Sequence, residues 1–160
     1  MNDDSVFERI ERLLRQHGVQ FSVLRHAPVF TSAEAAAIRG TPLASGAKAL
    51  VCKADAGWVM FVLPADRKLA SKQVRKARGW KSIRFADKQE VLDLTSLAPG
   101  AIPPFGSLFR LPTLCDRALA EHSRINFNAG DHSISVSMTY EDYLTVERPE
   151  LGEFSEPPAG

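Results

Sequence analysis

A lysine heads one of the apolar runs of this sequence. Lys48 follows Ser45, Gly46 and Ala47 and precedes "ALVCKA". Small neighbours leave room for a ligand. A lysine stem can lie along apolar surface while its ammonium stays at a pocket mouth. There it would hold a phosphate or carboxylate as a point charge. The same residue also reads as a solvated strand end, and spacing alone does not separate the two. A second segment, "PGAIPPFG" (residues 99–106), packs three prolines and two glycines into eight residues. Proline fixes φ and glycine frees it, so the loop is stiff and shaped. It suits a plain connector, or a loop whose backbone N–H groups approach a substrate closely. A third segment, "FNAGDHS" (residues 127–133), gathers Asn128, Asp131 and His132 around Gly130. That is ordinary turn chemistry, or a set of polar groups facing a site. His26, with Thr31 shortly after it, is a weaker candidate of the same kind.

Nucleophilic and metal chemistry leave no mark. There is no G-x-S-x-G. His17, His26, His122 and His132 are too scattered for a motif such as H-E-x-x-H. Cys115, beside Asp116, reads as core, and Cys52 and Cys115 read as two buried thiols rather than a disulfide. An enzyme built from these residues would work by positioning and backbone electrostatics, and calls for no cofactor.

The elements that must carry these segments follow from periodicity. At 160 residues with 44% apolar and 24% charged residues, the chain suits one domain with one core. Val6, Phe7, Ile10, Leu13 and Leu14 recur at helical spacing, with Asp3, Asp4 and Ser5 as cap candidates. Residues 19–26 alternate as a half-buried strand. "TSAEAAAIRG" opens on a capping box, Thr31 with Glu34, and ends at Gly40. A hairpin is expected over residues 48–54 and 58–63, turning at Asp55-Ala56-Gly57. Residues 66–79 read as a helix, 82–86 as a strand and 87–97 as a helix capped by Asp87. Strands are expected over 107–112, 124–128 and 132–139, then a short helix capped by Thr139. The Pro-rich tail from Arg148 is expected to lack structure, giving a single domain over residues 1–147 and a disordered tail over 148–160. This order predicts an α+β domain with a mixed or antiparallel sheet. A doubly wound nucleotide fold is disfavoured, because no G-x-G-x-x-G follows the first strand.

The net charge of +1 excludes a strongly basic coat, so any nucleic-acid contact must rest on a local patch. Residues 67–81 offer one: seven basic residues and no acidic one. A solvated helix face explains it as well as a phosphate-contacting surface does. The N-terminus lacks the basic and apolar regions of a signal peptide, and no run reaches the roughly 20 apolar residues of a membrane span. A cytoplasmic protein without membrane contact is expected.

Taken in order, His26, Thr31-x-x-Glu34-Ala35-Ala36, "AKALV", "APGAIPPFG", "INFNAG" and "TYEDYL" resemble the YbaK/prolyl-tRNA synthetase-associated domain family over residues 6–146. The resemblance implies a mixed, largely antiparallel sheet curled into a partial barrel and flanked by helices. It also implies a free-standing deacylase that cleaves the ester of mischarged aminoacyl-tRNA. In that reading Lys48 corresponds to the family's lysine, and Gly100 to Pro104 to its G-x-x-x-P loop. Asn128, with Gly130 beyond it, takes the late site-lining position. Lys48 and Gly100 become the catalytic candidates: the lysine holds the substrate and backbone N–H groups near Gly100 stabilise the oxyanion. Ile102, Pro104, Phe105, Gly106, Asn128, Gly130, His132, His26 and Thr31 become substrate-binding candidates. Water would attack with help from the substrate's ribose hydroxyl. Lys72, Arg75 and Lys76 become candidate tRNA contacts. The implied partners are a mischarged tRNA, Cys-tRNA(Pro), Ala-tRNA(Pro) or another small amino acid's, and prolyl-tRNA synthetase or another synthetase. A non-catalytic module that binds a tRNA end or a synthetase is the competing reading. If the site is right, Lys48 must point toward the Gly100 loop and the Asn128 turn.

Overall fold

The computed structural model describes residues 5–55 and 57–158. Asp3 and Asp4, and Ala56 of the hairpin turn, lie outside the described residues. Helix α1 (Val6–Gln16) is capped by Ser5, whose hydroxyl accepts from the Glu8 N–H while Glu8 reaches back to the Ser5 N–H. That reciprocal box satisfies two donors the first turn would otherwise leave free. Val6, Phe7, Ile10 and Leu14 are its buried stripe, and Ile10 and Leu14 are fully enclosed. Each such side chain contributes about 1.5–3 kcal/mol of burial.

Strand β1 (Ser22–Arg25) is shorter than residues 19–26 and pairs antiparallel with β8 (Ile134–Thr139), which pairs in turn with β7 (Arg124–Asn128). Helix α2 (Ser32–Arg39) starts at Thr31, whose hydroxyl accepts from the Glu34 N–H. Glu34 reaches back to the Phe30 N–H, one residue earlier than a capping box requires. The hairpin forms as β2 (Ala47–Ala54) and β3 (Gly57–Pro64), with Lys48 opposite Leu63. The basic segment splits. Strand β4 (Lys68–Leu69) takes its first residues, and α3 (Ser71–Arg78) starts later than expected.

Beyond α3, β5 (Ile83–Phe85) pairs with β2, and α4 (Lys88–Thr95) starts at the Asp87 box. Residues 107–112 do not form a strand. Gly106–Phe109 is a 3-10 turn and β6 (Thr113–Asp116) begins just past Pro112, pairing parallel with β3. Helix α5 (Tyr140–Glu147) is capped by Thr139. The tail from Arg148 is not structureless. Strand β9 (Glu150–Gly152) adds parallel to β6, and β10 (Ser155–Glu156) pairs antiparallel with β4. Phe154 explains why: it is 4% exposed and meets Phe61 edge-on, while its N–H donates to Asp116.

The sheets run β1-β8-β7 and β5-β2-β3-β6-β9. Among the described residues a bridge between Gly46 and Asn126 joins them, so they curl together as an open, partial barrel with the main core between them. Cys52 and Cys115 are both free and buried, and burial pushes both thiols up to about 12.

Candidate active site at the seam of the two sheets

Where β2 leaves that bridge, a cavity of about 170 Å³ opens. An engineered cavity of about 150 Å³ holds one benzene, so this one takes a group of about six heavy atoms. Thr31 and Arg39 line it from α2, Lys48 from β2, Gly100 and Ile102 from the stiff loop, and Asn128 from the end of β7. Three segments far apart in sequence therefore converge on one hollow, and Lys48 shares its wall with Gly100 and Asn128.

Lys48 is half-buried, and its ammonium donates to the Arg67 carbonyl at 2.6 Å. Burial lowers its pKa below the ordinary lysine value, and the charge of Asp66 opposes that shift. The ammonium has three N–H groups, so this bond leaves two for other partners. On the facing loop, the N–H groups of Gly100 and Ile102 have no acceptor among the described residues. Gly100 sits at φ +90°, where a side chain is strained, and a Cβ there would stand 3.4 Å from the His132 ring.

Arg39 is the residue that sequence reasoning missed. It closes the Ala-rich helix and reads there as a last-turn base complementing the helix dipole. In the structure its Nε donates to Ser135 Oγ and its second nitrogen to Asn128 Oδ1, both at 2.8 Å. Asn128 Nδ2 donates to the Gly100 carbonyl at 2.7 Å. On the other side, His26 Nε2 lies 2.8 Å from Ser135 Oγ and Nδ1 lies 2.8 Å from the Ala27 carbonyl. A carbonyl only accepts, so Nδ1 carries the proton; in the neutral ring Nε2 then accepts from the Ser135 hydroxyl. The result is a continuous chain of bonds from His26 through Ser135, Arg39 and Asn128 to Gly100, with Arg39 donating in both directions. Burial lowers the Arg39 guanidinium to about 10, still charged at neutral pH.

The other candidates lie elsewhere. Phe105 is fully enclosed against Phe127 and Tyr143, the Pro104 carbonyl accepts from the Tyr143 hydroxyl, and the Gly106 N–H donates to Thr113. These three brace the loop from the core and do not line the cavity. Gly130 does not line it either. At φ +81° it lets α1 approach, because a Cβ would fall 2.9 Å from the Val6 Cβ. His132 packs its ring on Phe30, a cavity-lining residue, and approaches the Pro99 carbonyl at 3.4 Å. His26 supports Ser135 from outside the cavity. Lys72 and Lys76 are exposed on α3, and Arg75 is half-exposed with a 3.4 Å bond to the Lys81 carbonyl.

Comparison with known proteins agrees with this fold. Two solved structures superpose over nearly the whole chain at low identity. A candidate trans-editing enzyme for prolyl tRNA synthetase has a TM-score of 0.84 at 22% identity, covering 97% of this chain and 99% of its own. The hypothetical protein APE2540 has a TM-score of 0.85 at 23% identity, covering 92% and 99%. The multifunctional Ser/Thr-tRNA deacylase ProXp-y of Escherichia coli (strain K12) is 38% identical over 152 residues, 92% of this chain and 91% of that protein. A proline–tRNA ligase of Trichlorobacter lovleyi is 32% identical over 90 residues, 56% of this chain and 16% of the ligase. The family described as the aminoacyl-tRNA editing domain matches residues 26–146. Sequence and fold thus agree, and the chain belongs to the aminoacyl-tRNA editing domain family.

Proposed function

We propose that this chain acts in trans on tRNA mischarged with serine or threonine, using the cavity at the sheet seam to hold the ester. Family membership makes it an aminoacyl-tRNA deacylase; the proposal concerns which ester it cleaves and with which residues. One observation carries it: Lys48, Arg39, Asn128 and the unpaired N–H groups of Gly100 and Ile102 meet around a space sized for a small amino acid. The kinship with a Ser/Thr-tRNA deacylase over 92% of the chain favours hydroxyl amino acids over cysteine or alanine. Thr31, on the cavity wall, uses its oxygen as acceptor for the Glu34 N–H and keeps its hydroxyl hydrogen for a substrate hydroxyl. A site that hydrogen-bonds a substrate hydroxyl discriminates far better than one that measures a methylene.

In this reading Lys48 binds and positions the aminoacylated end of the tRNA. Water attacks the ester carbonyl, with the neighbouring ribose hydroxyl as its proton relay. The new C–O bond forms, the charge that gathers on the carbonyl oxygen is met by the Gly100 and Ile102 N–H groups, and the ribose–acyl bond breaks. The proton goes to the departing ribose oxygen, giving free amino acid and intact tRNA. Lys72, Arg75 and Lys76 grip the acceptor stem, and a synthetase, prolyl-tRNA synthetase among them, is the enzyme whose errors are removed.

The test is a deacylation panel of Ser-, Thr-, Ala-, Cys- and Pro-tRNA with wild type and Lys48→Ala. Ser- and Thr-tRNA should turn over fastest, and Lys48→Ala should lose roughly 100-fold or more in kcat/KM. A preference for Ala- or Cys-tRNA would sink the specificity assignment. Binding without turnover on every substrate would identify a binding module instead.

A further inference from the structure

The ammonium of Lys48 is held by a carbonyl, and that carbonyl belongs to a residue gripped by the C-terminal strands. Arg67 donates through Nε to Ser155 Oγ at 2.6 Å and through a second nitrogen to the Ser155 carbonyl at 3.3 Å. Its own N–H is fixed on Pro64. Immediately downstream, β4 pairs with β10, setting Leu69 opposite Ser155 and Lys68 opposite Glu156. Lys68 and Glu156 form an ion pair at 3.3 Å, and the Ala70 N–H donates to the Phe154 carbonyl. Phe154 anchors the segment in the smaller core beside Phe61, Leu63 and Leu69. The C-terminal partners in these contacts, Phe154, Ser155 and Glu156, lie beyond residue 146, where the match to the family ends.

We infer that the C-terminal segment is a positioning element of the site, in which Ser155 holds Arg67 so that the Arg67 carbonyl can seat the Lys48 ammonium in the cavity. The inference rests on the proposed role of Lys48. Two features make the contact more than a surface fastening. Arg67 meets Ser155 through its side chain and Lys48 through its backbone, so the segment and the cavity are joined by a single residue. The backbone of residue 67 is also restrained on both sides, its N–H on the Pro64 carbonyl and the next residue paired with Glu156, which limits how far its carbonyl can turn. Ser155 and Arg67 are therefore positioning residues, acting through Lys48 rather than on substrate.

The test uses the full chain with Ser155→Ala, Arg67→Ala and Ser155→Thr, and Lys48→Ala beside them. Two readouts are taken: kcat and KM on a substrate from the panel, and the pH dependence of Lys48 acylation by an amine-reactive ester, read on the Lys48 peptide by mass spectrometry. Burial is the main influence lowering the Lys48 pKa. Releasing the side chain to water should thus move its labelling midpoint to higher pH and raise its limiting rate. Ser155→Ala and Arg67→Ala should show that change with a fall in kcat of about tenfold or more. Ser155→Thr, which keeps the hydroxyl, should return both toward wild type. A purely structural role would lower thermal stability without moving the Lys48 midpoint in the folded protein. Wild-type labelling in both Ser155→Ala and Arg67→Ala overturns the inference, as does a shifted profile with kcat unchanged while Lys48→Ala is inactive. Full activity in Lys48→Ala instead overturns the site role of Lys48, whatever the labelling shows.

Discussion

Arg39 sits between the parts of the site, one nitrogen on Ser135 and another on Asn128. Lysine cannot reproduce this, because an ammonium is a point donor and lacks the planar fork. Arg39→Lys keeps the charge and loses one of the two bonds. Asn128 is then free to turn, and with it the hydrogen bond that holds the Gly100 carbonyl. The expected result is a fall in kcat/KM of about tenfold or more, with a small change in melting temperature, measured by single-turnover deacylation and thermal unfolding. Wild-type kcat/KM in Arg39→Lys would show that the chain of bonds from His26 to Gly100 has no part in the chemistry. At this scale sequence reading identified the cavity lysine and the glycine facing it, because small residues around a charge and a Pro/Gly-rich loop have local physical meaning. Arg39 was illegible for the opposite reason. Its partners lie about 90 residues away in sequence, and its helix gives it a sufficient local explanation.

Elements with reciprocal local bonds were legible, and elements held by distant partners were not. Helix α4 belongs to the first kind. Its Asp87 cap is read from the sequence, and the structure adds Glu90 reaching back to the Asp87 N–H and a bidentate pair between Arg84 on β5 and Glu90, at 2.8 and 2.9 Å. The bond to Arg84, then that from the Asp87 N–H, draws the Glu90 carboxyl down to about 2. A free glutamate titrates near 4.3, so between these values the unfolded chain binds more protons than the folded one. The contribution of Glu90 is therefore present above the unfolded value and is lost as pH falls toward 2. Glu90→Gln should melt below wild type at neutral pH, and the gap should close as pH drops through that window. A gap independent of pH would mean the carboxylate charge is irrelevant to the junction of β5 and α4. Strands β9 and β10 belong to the second kind. Their sequence is polar and Pro-rich, and what orders them is parallel pairing with β6, the Phe154 anchor and the Arg67–Ser155 contact. The expected strand over residues 107–112 failed for a related reason. Arg110 takes φ +60°, and the chain makes a 3-10 turn before β6 can enter the sheet.

The whole molecule carries a net charge of only +1, so attraction to a polyanion depends on where charge is left unpaired. The C-terminal segment decides part of that. Among the seven bases of residues 67–81, Lys68 pairs with Glu156, Arg78 with Glu150, and Arg67 is turned onto Ser155. The side chains of Lys72, Arg75, Lys76 and Lys81 meet no acidic partner among the described residues. Helix α3 begins shortly after Ala65 on the cavity wall, so this unpaired face lies a short way along the chain from the cavity. Each phosphate contact removed lowers the slope of log affinity against log salt by about one. Neutralising Lys72, Arg75 and Lys76 together should flatten that slope by about two to three and weaken tRNA binding most at low salt. It should leave hydrolysis of a small aminoacyl ester unchanged. Neutralising Lys68 and Arg78 should flatten it far less, because their charge is already met by glutamates and releases few counterions. Equal effects from the two sets would show that tRNA responds to total charge rather than to the face that the C-terminal strands leave open.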